Sequence, residues 1–181
     1  EACVGTAEAK IMLGEPSDAL NVLSRAQDKS ARGQLVLAQA QISAGDVELA
    51  TETASGCIMS LENAIDLQAC ADILSTGGKH EAAAAALDNA ILISQWPEEL
   101  MRRRSRELLQ AGCIQDARET AFQSMALKVD GAGQHAALAR ALEAHDVVLA
   151  PEYKGALEHW SKSVELLPDR IDYQIGLARC S

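Results

Sequence analysis

Two tryptophans, two tyrosines and one phenylalanine are all the aromatic side chains in 181 residues, 3% of the chain. A core of large interlocking rings is excluded. The 48% apolar share is carried largely by alanine, so the expected core is thin and built from close helix contacts. Basic residues are scarce too: 16 Lys and Arg stand against 26 Asp and Glu, a net charge of −10. That balance opposes binding to nucleic acid or to an anionic membrane face and favours a basic partner, while keeping a helical surface soluble. No apolar run approaches the roughly 20 residues that span a bilayer, and the start lacks signal-peptide architecture, so membrane insertion is not expected.

Residue patterns that carry chemistry are missing as well. Cys3, Cys57, Cys70, Cys113 and Cys180 form no Cys-x-x-Cys pair and have no histidine at ligand spacing, which signals neither a zinc site nor a disulfide framework. They are expected as small apolar fillers in a reducing compartment, which favours a cytoplasmic location. His80, His135, His145 and His159 fall in different repeats or at turns and include no i, i+4 ligand pair. "GAG" at Gly131–Gly133 lacks the spacing of a phosphate loop and reads as a turn, and no serine lies in G-x-S-x-G. The expectation is a protein without catalytic residues, cofactor or metal.

What is present is a repeat. A small residue, six spacers, glycine, four spacers and alanine recur four times: Ala7, Gly14, Ala19; Ala38, Gly45, Ala50; Ala71, Gly78, Ala83; Ser105, Gly112, Ala117. A fifth copy, "ARALEAHD", has Asp146 in the glycine slot and its alanine late, at Ala156. The closing alanines are spaced by 31, 33, 34 and 39 residues, and the last interval holds "DVVLAPEYKG", read as an inserted loop. Each glycine falls where a three- to four-turn helix must stop, in the left-handed conformation glycine adopts cheaply. "EPSDAL", "GDVEL" and "PEEL" then restart helices with capping and acidic residues. About eleven helices result, five antiparallel pairs and a lone helix from about Arg170.

"ALEHWSKSVELLP" places Ala156, Trp160 and Pro168 in the A-x3-F…P pattern of the tetratricopeptide repeat, and "ALNVLSRA" and "ALDNA" are similar without the proline. The chain thus resembles the tetratricopeptide (TPR) family over essentially its whole length, although the Trp and Tyr of the first helix of each repeat are mostly missing. The resemblance implies an all-α, right-handed α-solenoid of antiparallel helix pairs forming one domain over residues 1–181. Because the chain opens without methionine at "EACVGTAEAK" and ends in a helical pattern at "IGLARCS", it reads as a piece of a longer protein whose targeting signal lies outside it.

By the same resemblance the first helix of each pair lines a concave binding face, through Val4 and Glu8, Leu35 and Gln39, Gln68 and Asp72, Arg102 and Arg106, Ala136 and Arg140. The Lys and Asn with which some members hold a chaperone's C-terminal carboxylate are absent from these slots. The implied function is a non-catalytic scaffold holding a protein or peptide partner, with acidic groups of the ligand toward Arg102, Arg106 and Arg140. The competing reading of these arginines is pairing with Glu99, Glu107 or Glu143 and no ligand; the run Arg102–Arg104 turns about 100° per residue and cannot face one ligand as a block. A second functional reading is the helical-repeat arm of a larger enzyme or export machine, such as a glycosyltransferase, sulfotransferase or polysaccharide-secretion protein. A third is self-association through the terminal helix, where Ile171, Ile175 and Ala178 lack a pairing helix. Within the alanine run of "GGKHEAAAAAL", Ala83 is expected at the closest helix contact and Ala82, Ala84 and Ala85 as mere helix extension, so that Ala84→Glu would be nearly silent.

Overall fold

The computed structural model describes residues 2–26, 28–127, 131–144 and 150–181. Among the described residues there are eleven α-helices and no strand: α1 (Ala2–Met12), α2 (Pro16–Ala26), α3 (Ala31–Ala44), α4 (Val47–Cys57), α5 (Ala64–Thr76), α6 (His80–Ile93), α7 (Pro97–Gln110), α8 (Ile114–Leu127), α9 (Ala132–Ala144), α10 (Ala150–Leu166) and α11 (Ile171–Cys180). A short 3-10 turn, Ile58–Ser60, follows α4.

The repeat pattern accounts for the turns in detail. Gly14, Gly45, Gly78 and Gly112 have φ of 77°, 92°, 71° and 79°. In each case the glycine N–H donates to a carbonyl three residues back and the next residue's N–H to one five back, as in Glu15 to Lys10 (2.9 Å) and Lys79 to Leu74 (2.8 Å). Four Schellman motifs thus end α1, α3, α5 and α7, satisfying carbonyls the helix leaves open. With links this short the next helix folds back antiparallel on its predecessor.

Alanines at the marker positions make that packing close. Ala7, Ala19, Ala38, Ala50, Ala83, Ala117 and Ala156 are fully buried. Where the fourth copy has serine, the Ser105 hydroxyl donates to the Ala117 carbonyl at 2.8 Å, so the buried oxygen is satisfied by its partner helix.

The chain forms two compact units, Glu1–Ile93 and Ser94–Ser181. In the first, α1 packs on α2, α3 on α4 and α5 on α6, while the first helices stack in the order α1, α3, α5. Val4, Ala7, Ala19, Leu23, Val36 and Ala40 form one core cluster there. In the second, α7 packs on α8 and α9 on α10, with α7 beside α9 and α11 against α10. Its core is built on Trp160, the largest fully buried side chain, with Ala136, Leu138, Ala156 and Tyr173 around it.

Three expectations need correction. Residues 150–155 of the "insertion" belong to α10, whose second residue, Pro151, suits a first turn where the missing N–H costs nothing; His145, Asp146 and the remainder up to 149 lie outside the described residues. Within "GAG" only Gly131 precedes the helix. Gly133 sits in the first turn of α9, where a Cβ would come within 2.9 Å of the Arg102 side chain. Ala84, expected to be solvent-facing, is buried at 3% exposure, while Ala85 is exposed. At 100° per residue, positions 83, 84, 86, 87 and 90 cover an arc of roughly 160°, wider than the single stripe the alanine pattern suggested.

Candidate functional site

The ten residues expected on the binding face divide between the units, and the two groups differ in state. In the first unit the Glu8 carboxylate is held by Arg32, which also binds Asp66. Asp66 is buried and receives a further bond from Asn63 Nδ2 at 2.6 Å. One guanidinium therefore ties together α1, α3 and α5. Glu8, Val4 and Arg32, with Gly5, Asp28 and Ser30, line an open recess of about 600 Å³. Gln68 folds back on its own helix, donating to the Ala64 carbonyl at 3.1 Å, while Asp72 is exposed and Gln39 partly so. Leu35, expected to line the binding face, is fully buried, as is Ala136 in the second unit. Both are packing residues.

In the second unit the three arginines come together. Arg102 and Arg106 on α7 and Arg140 on α9 line one narrow cleft with Ser105, Leu109 and Ala137. Its volume, about 30 Å³, admits a water or two and no side chain, so a ligand group would lie over the arginines. Arg102 is bound by Glu99, one bond being Nε to Oε2 at 2.8 Å, and this pairing raises its already high pKa. Its side chain lies across Gly133, which fixes its direction. Arg106 lies 3.6 Å from a Glu107 oxygen and is largely exposed. Arg140 donates to Asp172 at 3.2 Å and sits over the rings of Trp160 (5.1 Å to the centroid) and Tyr173 (6.0 Å). Burial lowers the pKa of Arg140, and Asp172 and Tyr173 oppose that loss; the side chain remains a cation.

The pairing expected with Glu99 and Glu107 is present, but Glu143 serves elsewhere: it accepts from Trp160 Nε1 (2.7 Å) and Arg179 (2.8 Å). Asp172 takes its place beside Arg140 and also receives Arg170, whose hydrogen bond holds the Asp172 carboxyl below the usual range. Arg170 lies over Tyr173 at 4.9 Å.

Arg32, Asp66, Arg170 and Asp172 escaped the sequence reading because they stand at the cap or in the first turn of their helices, whereas the repeat pattern directs attention to mid-helix positions. Another pair is less legible still. His135 and His159, 24 residues apart, meet Nδ1 to Nδ1 at 2.8 Å. One nitrogen must donate and the other accept, so the contact excludes the doubly charged pair. Burial first, and the neighbouring His135 second, hold the His159 imidazole below its ordinary value of 6.5, with Glu158 opposing. A depressed histidine contributes stability fully above the unfolded value and loses it as pH falls, because the unfolded chain takes up the proton first. The urea midpoint of the protein is therefore expected to fall between pH 7.5 and pH 5.5, and His159→Gln to flatten that fall; an equal slope in the variant would show that other groups cause it.

Among the described residues no group of three or more His, Cys, Asp or Glu is placed to hold a metal ion, and no helix is long and apolar enough to cross a membrane.

These helix pairs, Schellman turns and buried alanines define an all-α fold of tetratricopeptide type, an α-solenoid of helix pairs, and comparison with solved structures shows the same fold. YrrB, a TPR protein with an unusual peptide-binding site, superposes with a TM-score of 0.74 at 15% identity, covering 96% of this chain and 89% of its own. The MamA protein matches with a TM-score of 0.70 at 15% identity, covering 95% and 93%. The C-terminal part of a TPR repeat-containing protein from Cytophaga hutchinsonii matches at 0.69 and 14% identity, covering 98% and 69%. No family model matches the sequence, and no curated protein matches it.

Proposed function

We propose that the chain is a non-catalytic interaction module, residues 1–181 acting as one domain, and that it binds an extended or helical segment of a partner protein. In this reading the acidic groups of the partner meet Arg102, Arg106 and Arg140. The observation that carries the proposal is the convergence of those three side chains on one cleft, in a chain whose net charge is −10. A cationic cluster on an otherwise acidic surface attracts a carboxylate-bearing segment locally and repels it elsewhere, which fixes register. Glu99 and Asp172 bind Arg102 and Arg140, and the buried Glu107 lies 3.6 Å from Arg106; a guanidinium carries five N–H donors, more than one carboxylate uses, so a ligand's oxygens can be received as well. YrrB, whose fold is similar, has a peptide-binding site, which supports a peptide as the ligand class.

Fluorescence anisotropy with a labelled Glu/Asp-rich peptide tests this. The double reversal Arg102→Glu and Arg140→Glu is expected to weaken binding severalfold and to remove most of its salt dependence. Arg106→Glu, at a largely exposed side chain, is expected to lose part of the affinity with little change in the urea midpoint. Unchanged affinity and salt dependence in both variants would remove the arginines from the binding face.

A further inference from the structure

Cys57 and Cys70 are separated in sequence but share one acceptor. Cys57 is the last residue of α4, at the start of the 3-10 turn, and Cys70 lies in the middle of α5. Both are buried free thiols. Cys57 Sγ approaches the Ala54 carbonyl oxygen at 3.2 Å and Cys70 Sγ approaches the same oxygen at 3.3 Å. The two sulfurs therefore converge where the second helix of one repeat meets the first helix of the next. We propose that Cys57 and Cys70 are a redox pair, a site that a hydroperoxide converts to a disulfide stapling α4 to α5.

Each cysteine has a distinct role in that step. The hydrogen bond with Cys70 lowers the Cys57 thiol from its ordinary value, and the same bond, with burial, pushes Cys70 well above it. Of the two, Cys57 is therefore the more readily ionised and the attacking sulfur, and Cys70 holds its proton. Cys57 Sγ attacks one oxygen of hydrogen peroxide, the O–O bond breaks, and the hydroxide that leaves takes the proton of the original thiol, giving water and a Cys57 sulfenic acid. Cys70 Sγ then attacks the sulfenic sulfur; the S–O bond breaks and the hydroxyl leaves as a second water with the Cys70 proton. Two thiols and one peroxide give one disulfide and two waters. The 3-10 turn that follows Cys57 carries the buried Ile58 and then the exposed Met59 and Ser60, which places this thiol near the surface. Peroxide is small enough to enter by a local opening there.

The experiment is peroxide titration of the folded full chain, followed by non-reducing peptide mapping by mass spectrometry. The expected product is a Cys57–Cys70 linked peptide two hydrogens lighter than its reduced parts. It should form at a rate independent of protein concentration, be reversed by dithiothreitol, and raise the urea midpoint. In Cys70→Ala, dimedone should trap Cys57 as the sulfenic acid. The proposal is overturned if Cys57 and Cys70 stay reduced while the exposed Cys3 and the half-exposed Cys113 oxidise, if Cys57 and Cys70 link to other cysteines instead of each other, or if the linked form unfolds at the same or lower urea. The wild-type peptide map decides the matter even where the alanine variant does not fold.

Discussion

Trp160→Ala is expected to destabilise the second unit by about 3–5 kcal/mol, the usual loss for truncating a fully buried large aromatic. Trp160 is fully buried, contacts Tyr173 with ring centroids 6.1 Å apart, and supports the Arg140 guanidinium on its face. Its ring occupies space that exists only because residue 176 is glycine: a Cβ there would lie 2.4 Å from the indole Cε2. α11 therefore closes on the indole backbone-first, and removal of the ring leaves a void that Gly176 cannot fill. The indole N–H also leaves Glu143, a half-buried carboxylate then reliant on Arg179 and Cys180. Repeat proteins unfold by neighbouring units, so the loss should be local. Hydrogen exchange should accelerate in α9, α10 and α11 and stay near wild type in the first unit. A loss below about 1 kcal/mol would mean that Trp160 is not the anchor of this core.

Ala84→Glu is expected to cost on the order of 3 kcal/mol, because it places a carboxylate without a partner at a site 3% exposed. Ala83→Leu, at a fully buried marker position, should cost about 1–3 kcal/mol by overpacking. Ala85→Glu, on the exposed side of the same run, should stay within about 0.5 kcal/mol. Chemical denaturation of the three variants separates the cases. Equal small effects at all three positions would return the alanine run to the status of filler; a silent Ala84→Glu would show that the buried arc is the single stripe of 83, 86, 87 and 90.

The contrast between Ala83 and Ala84 shows where sequence reading stops. Ala83 is legible because it repeats with Ala19, Ala50 and Ala117 at a fixed distance after a turn glycine, and all four glycines take the left-handed φ their spacing demands. Local geometry of that kind is written in spacing. Ala84 is buried by the breadth of the helix contact, which no spacing reports, since alanine suits a buried seam and an exposed helix equally. The arginine cluster was readable for a similar reason: Arg102, Arg106 and Arg140 occupy repeat-related slots. Arg32, by contrast, joins Glu8 and Asp66 from residues 24 and 34 positions away, and the His135–His159 and Cys57–Cys70 contacts also depend on which helices come side by side. Leu35 was assigned to the binding face by analogy of slot and is buried, a difference that depends on what packs against its helix and not on its spacing.

Photo-crosslinking reads directly whether the arginine-bearing face of α7 and α9 receives an acidic partner segment. A photoreactive residue is placed at Leu109, partly exposed at the edge of the cleft, and at Gln123, exposed on the second helix of its pair. With a Glu/Asp-rich peptide, crosslinks are expected from 109 that high salt and Arg106→Glu suppress, and none from 123. Crosslinks from 123 alone, or in equal yield from both positions, would remove the ligand from the arginine face.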